Sequence, residues 1–122
     1  MSHTCTWEDK GLFRKFTDEI CPEEILKSNF ELHADPKFQK IKYIINDFTK
    51  VTKLNIDSEH AKVYASTDDI ISMSKGSLKI AIVAEQEGHL ALANDYRNTM
   101  TNRYFKCEIF KTLTDAQKWV NS

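Results

Sequence analysis

The chain carries a small set of polar residues at positions where open α/β sheets commonly bind ligands. They lie at the end of the apolar stretch IKYIINDF, at the start of the helix-like segment that follows it, and after a second apolar stretch, KIAIVAE. Because the carboxyl ends of parallel strands meet at one edge of a sheet, these positions predict a surface for a ligand or a protein partner. The predicted surface comprises Asp47, Thr49, Asp57, Ser58 and, if the adjacent loop converges, Gly88 and His89.

The two aspartates of this set also have a purely structural interpretation. Asp57 stands where a helix N-cap is expected, and a side chain there accepts a hydrogen bond from the first turn of the helix. Asp47 then simply ends a strand. An enzyme is a further alternative, in which a hydrolase or phosphotransfer site forms around Asp47.

No spacing of residues in the chain matches a catalytic or metal-binding motif. The acidic pair Asp68 and Asp69 invites a metal or general-acid interpretation, but adjacent helical residues point about 100° apart. We expect these two to be helix-start or surface carboxylates. The three glycines are isolated, which excludes a phosphate loop. The four histidines form no HExxH or His-x-His pattern and are His3, His33, His60 and His89. The sequence therefore predicts no catalytic residue, no metal and no cofactor.

The stretch KIAIVAE predicts the strand that lies at the centre of the fold. Its residues from Ile80 to Ala84 are all apolar. A strand with one solvated face alternates apolar and polar residues, whereas a continuous apolar run is typical of a strand that is covered on both faces. The stretch IKYIINDF has the same character and predicts the neighbouring strand, with Asn46 and Asp47 marking its exit.

The remaining segments place helices between strands. Predicted strands cover 3–8, 12–16, 41–48, 79–85 and 104–111. Residues 17–20 are expected to form a turn and 49–56 an extended connection. Gly11 is expected at a left-handed bulge position between the first two strands. Helices are predicted from Pro22 to about Asp35, over 57–73 with a possible break at 66–69, over 89–101, and from Thr114 onward. The alternation predicts an α/β fold with a mixed, mostly parallel sheet of about five strands.

Length and composition set further limits. A chain of 122 residues suits one domain spanning 1–122. Net charge is −1, with acidic and basic residues interspersed, so no basic face indicates nucleic acid. No apolar run reaches the ~20 residues of a membrane span. The three cysteines form no CxxC pair and are expected to be reduced and mostly buried, as in a cytoplasmic protein.

The order of these segments resembles the SpoIIAA-like family, which is related to the STAS domains of anti-sigma factor antagonists and of anion-transporter tails. The resemblance rests on IKYIINDF, the helix from Asp57, KIAIVAE, the helix that contains LALANDY, and the ending EIFKTLTDAQKWV. It covers nearly the whole chain and consists mainly of packing signals. The phosphorylatable antagonists of the related group carry an Asp-Ser-Ser-Gly turn. Here Ser58 follows Asp57 but precedes Glu59, so the phosphoswitch does not carry over.

The resemblance implies a non-enzymatic regulatory or binding module of the bacterial cytoplasm. In STAS-like domains, partners engage the region at the start of the helix after the second core strand, which here comprises Asp47, Thr49, Asp57, Ser58 and, if the adjacent loop converges, Gly88 and His89. The expected partner is a protein or a small ligand bound at the strand carboxyl ends, and the protein is expected to be a monomer or homodimer. The alternative is a carrier of a lipid or another apolar small molecule, because distant relatives of this fold hold hydrophobic ligands.

Overall fold

The computed structural model describes residues 3–122, which form a mixed five-stranded sheet covered by helices on both faces. The strands are β1 His3–Trp7, β2 Gly11–Ile20, β3 Tyr43–Leu54, β4 Leu78–Val83 and β5 Phe105–Phe110. The α-helices are α1 Pro22–Ala34, α2 Ser58–Lys75, α3 Glu87–Thr99 and α4 Leu113–Val120, and a short 3₁₀ helix spans Pro36–Lys40. The predicted order of strands and helices is confirmed.

The strands lie side by side in the order in which they occur along the chain, β1-β2-β3-β4-β5. β1 pairs antiparallel with β2, and the other three pairings are parallel. Helices α1, α2 and α3 are therefore the crossovers of successive parallel pairs. Crossovers of one hand that always step in the same direction place their helices on the same face of the sheet. These three helices accordingly share one face, and α4 covers the other.

The consecutive apolar residues of β3 and β4 divide between two cores, as the sequence predicts. On the side of α1–α3, Ile44 and Ile80 pack in one cluster with Leu32 of α1 and Ala93 of α3. On the side of α4, a second cluster contains Tyr43, Ile45, Ala81, Val83, Ala116 and Val120. Because neighbouring strand residues point to opposite faces, both faces of β3 and β4 are covered.

Strand β2 is longer than predicted. The expected turn at 17–20 is part of the strand, which continues to Ile20 and pairs with β3 through its last residue. The register shifts between Asp18 and Glu19, and Asp18 has a φ of 60°. Aspartate tolerates this left-handed conformation better than most residues, so a bulge in a strand gave the sequence signature of a turn.

Strand β3 also continues past its predicted end. The stretch 49–56, predicted as an extended connection, is strand up to Leu54 and keeps its pairing with β2. Asp47 is therefore an internal, buried strand residue, opposite Val83 of β4, and not the exit of β3. A register shift follows it, since Lys15 pairs with Asp47 but Thr17 pairs with Lys50.

Gly11 does not have the left-handed conformation that the sequence predicted, because Gly76 is the glycine with positive φ among the described residues. Its role is close approach: the ring of Tyr43 lies against the position that a Cβ atom at Gly11 would occupy. The hydroxyl of Tyr43 donates a hydrogen bond to Oε1 of Glu8 at 2.5 Å. That bond fixes the ring over the glycine at the start of β2.

Three smaller differences concern helices and thiols. Helix α2 runs unbroken through 66–69. Helix α4 is capped by Thr112, whose hydroxyl accepts a hydrogen bond from Asp115 N at 3.2 Å, and not by Thr114. Cys5 and Cys21 are exposed and Cys107 is half-buried, contrary to the prediction of mostly buried thiols. Within residues 3–122, no helix is both long enough and apolar enough to cross a membrane.

Candidate functional site

A cavity of about 90 Å³ lies between the sheet and the three crossover helices. Its walls come from strands β2–β5 and from helices α1, α2 and α3. Most of the lining is apolar and includes Phe16, Ile25, Leu32, Phe38, Ile44, Phe48, Leu54, Ile56, Ala61, Ile80, Ile82, Leu92, Ala93 and Phe105. Its polar or ionisable side chains are Arg14, Asn29, His33, Asn46, Tyr64, Asp68, His89 and Tyr96. The site is thus an apolar chamber with a few polar groups on its walls.

Arg14 is the cation of this chamber. It lies in the middle of β2, and only 6% of it is exposed. Its Nε donates to Oδ1 of Asn46 at 2.8 Å, and its Nη1 donates to Oγ of Ser28 at 3.0 Å and to Oδ1 of Asn29 at 2.9 Å. These bonds orient the guanidinium, whose centre lies 5.7 Å from the ring centroid of Phe16.

The hydrogen-bond acceptors around Arg14 are all uncharged. Among residues 3–122, no carboxylate lies within 4.0 Å of its guanidinium nitrogens, and Nη2 has no hydrogen-bond acceptor. Burial lowers the pKa of Arg14, and the ionised forms of Cys5 and Asp68 oppose that effect. Arginine nevertheless stays protonated in proteins, so the cavity wall carries a fixed positive charge.

Asp68 is the anion of the chamber and is buried, contrary to the prediction that it is a surface or helix-start carboxylate. The hydroxyl of Tyr96 donates a hydrogen bond to its Oδ2, and Nε2 of His33 lies 3.6 Å from its Oδ1. Burial raises the pKa of Asp68 to about 6, although the bond from Tyr96 and the charge of Arg14 act in the opposite direction. Asp68 thus titrates near neutral pH.

Asp69 has a different role from its neighbour. It is only partly buried, and its carboxylate accepts hydrogen bonds from the backbone N–H groups of Thr101 and Asn102 at 3.2 Å. These bonds tie α2 to the loop between α3 and β5. The pair does not converge on a shared point, as the sequence predicted. Within the described chain, no group of three or more His, Cys, Asp or Glu side chains is arranged to hold a metal ion.

His89 brings a further polar atom to the chamber. It lies in the first turn of α3 and is 8% exposed. Its Nδ1 is buried and has no hydrogen-bond partner among residues 3–122. Burial lowers the pKa of His89, so the ring is neutral at physiological pH. Buried polar atoms are nearly always hydrogen-bonded, so this nitrogen is an exception among the described residues.

The six residues predicted for a binding surface do not all line this cavity. His89 lines it, whereas Asp47, Thr49, Asp57, Ser58 and Gly88 are not part of its walls. Oδ1 of Asp47 accepts hydrogen bonds from Thr49 N at 2.9 Å and from Thr49 Oγ1 at 2.7 Å. Asp47 follows Ile45 by two residues, which points it toward the face of α4.

Asp57 caps α2, as its structural interpretation predicted. Its Oδ1 accepts a hydrogen bond from His60 N at 3.0 Å, and its own N–H donates to Nδ1 of His60 at 3.1 Å. This reciprocal pair is a capping box. Ser58 is the first residue of the helix, and Gly88 is exposed near the start of α3. Ligand or partner binding at the six residues stays a prediction.

Arg14 and Asn46, which make the chamber polar, are not among the predicted site residues. Arg14 lies between Leu12 and Phe16 at alternate positions of one strand, and Asn46 lies within the apolar stretch of β3. A charged or amide side chain at a core-facing position of a strand is the signal that marks such a site. That signal was available, but it depended on knowing that β2 is an internal strand paired with β3.

Comparison of structures places the fold among known ones. The chain is similar to an uncharacterised protein of the DUF3478 family from Shewanella loihica PV-4, whose crystal structure has a SpoIIAA-like fold. The similarity covers 97% of this chain and 91% of that chain, with a TM-score of 0.52 and 17% sequence identity. No protein-family profile matches the chain, and no curated protein matches its sequence. The chain has a SpoIIAA-like fold, and at this identity the similarity concerns the fold alone.

Proposed function

We propose that this SpoIIAA-like domain is a non-enzymatic binding module whose ligand is a small, mainly apolar molecule held in the central cavity. The observation that carries the proposal is the cavity itself, with a volume of about 90 Å³. Protein interiors are close-packed, and voids much larger than a water molecule are few. A cavity that holds one water molecule needs a volume of only about 10–15 Å³. This cavity is therefore several times larger than the site of a single buried water.

The composition of the walls supports a ligand of mixed character. Ligand sites are mostly apolar, with a small number of polar groups that orient the bound molecule. The chamber has this composition, with Arg14 and Asp68 among apolar side chains from three helices. Of the functions expected from the sequence, the carrier of an apolar small molecule fits best. A regulatory role would follow if binding changed how α1–α3 pack.

The buried ionisable groups of the cavity are held in place by hydrogen bonds within the chain. Arg14 is oriented by Asn46, Ser28 and Asn29, and Asp68 accepts a hydrogen bond from Tyr96. A nucleophilic enzyme site pairs a serine, threonine or cysteine with a base, and no such pair among the described residues lines the cavity. The enzymatic alternative centred on Asp47 gains no support from the cavity, because Asp47 does not line it.

A variant that fills the cavity tests the proposal. Ala93 lines the cavity on α3, while Ala91 is exposed on the same helix. Methyl NMR should show hexan-1-ol binding to the wild type, with shifts at Leu32 and Ile80. Ala93→Leu should lose this binding while remaining folded, because the added methyl groups occupy the ligand space. Native mass spectrometry of the purified protein would show any molecule retained from the cell.

Ala91→Leu is the matched control, since it adds the same side chain to the outer face of the same helix. It should bind hexan-1-ol as the wild type does. Two results would contradict the proposal: methyl signals of the wild type that do not respond to the alcohol, or binding by Ala93→Leu that equals the wild type.

A further inference from the structure

Arg14 places a fixed positive charge on the wall of a buried apolar chamber. It is 6% exposed, and its hydrogen-bond acceptors within residues 3–122 are neutral oxygen atoms. A buried charge that lacks an oppositely charged partner is strongly unfavourable. The neutral acceptors satisfy N–H groups of the guanidinium but do not balance its charge. Asp68 acts on this charge only from beyond 4.0 Å, so the position in direct contact with the guanidinium is open to an anionic group from outside the chain.

The unused donors of Arg14 show where that group would bind. A guanidinium has five N–H groups in a planar fork. The acceptors Asn46, Ser28 and Asn29 take up Nε and Nη1, while Nη2 has no acceptor among the described residues. Asn46 and Asn29 also line the cavity, beside Arg14. The side chain is therefore held in position by three bonds with one nitrogen left for a ligand.

Asp68 is the carboxylate that offsets the charge of Arg14 when the cavity holds no anion. Its carboxylate oxygens lie more than 4.0 Å from the guanidinium nitrogens of Arg14 and accept a hydrogen bond from the hydroxyl of Tyr96. Because burial raises the pKa of Asp68 to about 6, this carboxylate takes up a proton readily when a second anion enters the chamber. The titratable groups that face it from other elements are Tyr96 from α3, His33 from α1, Arg14 from β2 and Cys107 from β5.

We infer that the ligand is a small monocarboxylic acid with an apolar body, and that its carboxylate binds Nη2 of Arg14. This inference rests on the proposed function and names the class of ligand. One guanidinium balances the single charge of a carboxylate, whereas a phosphate monoester carries about −1.5 to −2. Charge-assisted hydrogen bonds are also stronger than neutral ones. The hydrocarbon part packs against apolar lining residues such as Leu32, Ile44 and Ile80.

The test compares two probes of equal chain length, hexanoate and hexan-1-ol, at about pH 6, where Asp68 takes up a proton readily and hexanoate is still ionised. The wild type should bind hexanoate about tenfold more tightly or better, as expected for a hydrogen bond to a charged group. In Arg14→Gln, the preference for hexanoate over the alcohol should be lost. Lys15→Gln is the control, because it removes a charge from the next residue of the same strand, which does not line the cavity.

Arg14→Met replaces the guanidinium by an apolar side chain and is the second variant if Arg14→Gln fails to fold. If neither variant folds, the preference of the wild type for acid over alcohol decides. Equal binding of the two probes by the wild type, or a preference for hexanoate that survives in Arg14→Gln, would overturn this inference and leave the proposed function standing. Binding of neither probe would overturn both.

Discussion

The hydroxyl of Tyr96 donates a hydrogen bond to the carboxylate of Asp68, and this bond joins α3 to α2 on the inner wall of the cavity. Burial raises the pKa of both groups, so each is held in surroundings that disfavour its charged form. A buried polar atom is stable when it has a hydrogen-bond partner. The pair therefore connects the packing of α2 against α3 to the protonation state of Asp68.

Tyr96→Phe should destabilise the protein by about 1–3 kcal/mol at pH 7, the usual cost of a buried group left without its partner. The loss should be smaller at pH 4, because Asp68, with a pKa of about 6, is protonated there and depends less on the donor. Urea unfolding at the two pH values measures both. Tyr104→Phe is the control, since Tyr104 is exposed, and it should change stability little. An equal loss at both pH values would contradict the coupling.

Asp68→Asn should change how stability depends on pH. In the folded protein the pKa of Asp68 is raised from 3.8 to about 6, so between about pH 4 and 6 the folded state binds more protons than the unfolded state. Wild-type stability must then fall as pH rises through this window. Relative to Asp68→Asn, the wild type should lose about 3 kcal/mol between pH 4 and 7, at about 1.4 kcal/mol per pKa unit.

Asp69→Asn should change the pH dependence of stability in the direction opposite to Asp68→Asn. Hydrogen bonds from Asn102 and Thr101 lower the pKa of Asp69 despite partial burial. A carboxylate with a lowered pKa stabilises the fold above its unfolded pKa and loses that contribution as pH falls. Chemical unfolding of both variants from pH 3.5 to 7.5 separates the two slopes. Parallel curves for the wild type and Asp68→Asn would show that Asp68 ionises normally.

Gly11→Ala should be destabilising by about 1–3 kcal/mol, the typical result of overpacking. A Cβ atom at Gly11 meets the ring of Tyr43, which cannot easily move because its hydroxyl is bonded to Glu8. Gly88→Ala is the matched control, since a Cβ atom there has no heavy atom within 4 Å. In a helix this change should stabilise by up to about 1 kcal/mol. Thermal unfolding of the pair checks the result, and similar melting temperatures would mean that the Tyr43 ring is free to shift.

His89→Phe should leave stability unchanged or raise it. The variant removes a buried nitrogen, Nδ1, that has no partner among residues 3–122, and the Phe ring has a similar shape. Removing an unsatisfied polar atom from an apolar site recovers a cost of about 1–3 kcal/mol. Differential scanning calorimetry of the ligand-free protein measures the change. A clear loss of stability would show that the imidazole makes a bond within the folded chain.

Much of the fold could be predicted because its signals are local. The runs of apolar residues around Ile44 and Ile82 predict strands covered on both faces, and Pro22 marks the start of α1. The errors lie where long-range pairing decides the local structure. Residues 17–20 are predicted as a turn and 49–56 as an extended connection, yet β2 and β3 pair with each other as far as Ile20 and Leu54. Burial of Asp68 likewise depends on which face of α2 meets α3 and the sheet.

The candidate site could be predicted only in part, for the same reason. His89, which lines the cavity, is among the predicted residues because it follows a core strand, and ligands commonly bind at the carboxyl ends of such strands. Arg14 and Asn46 lie side by side on neighbouring strands, although 32 positions separate them along the chain. Their pairing depends on the register between β2 and β3, and composition alone does not determine that register.

The linear order of the strands has a consequence for how the chain folds. Each strand from β2 to β5 pairs with the strand that comes immediately before it in the chain. No strand therefore has to insert between two that are already paired. Each step closes one crossover, and the entropy of loop closure rises only slowly with loop length. The sheet can therefore grow from either end or from the β3–β4 pair outward, without first undoing a structure already formed. Topologies built from such near-neighbour pairings fold faster than those that join distant segments.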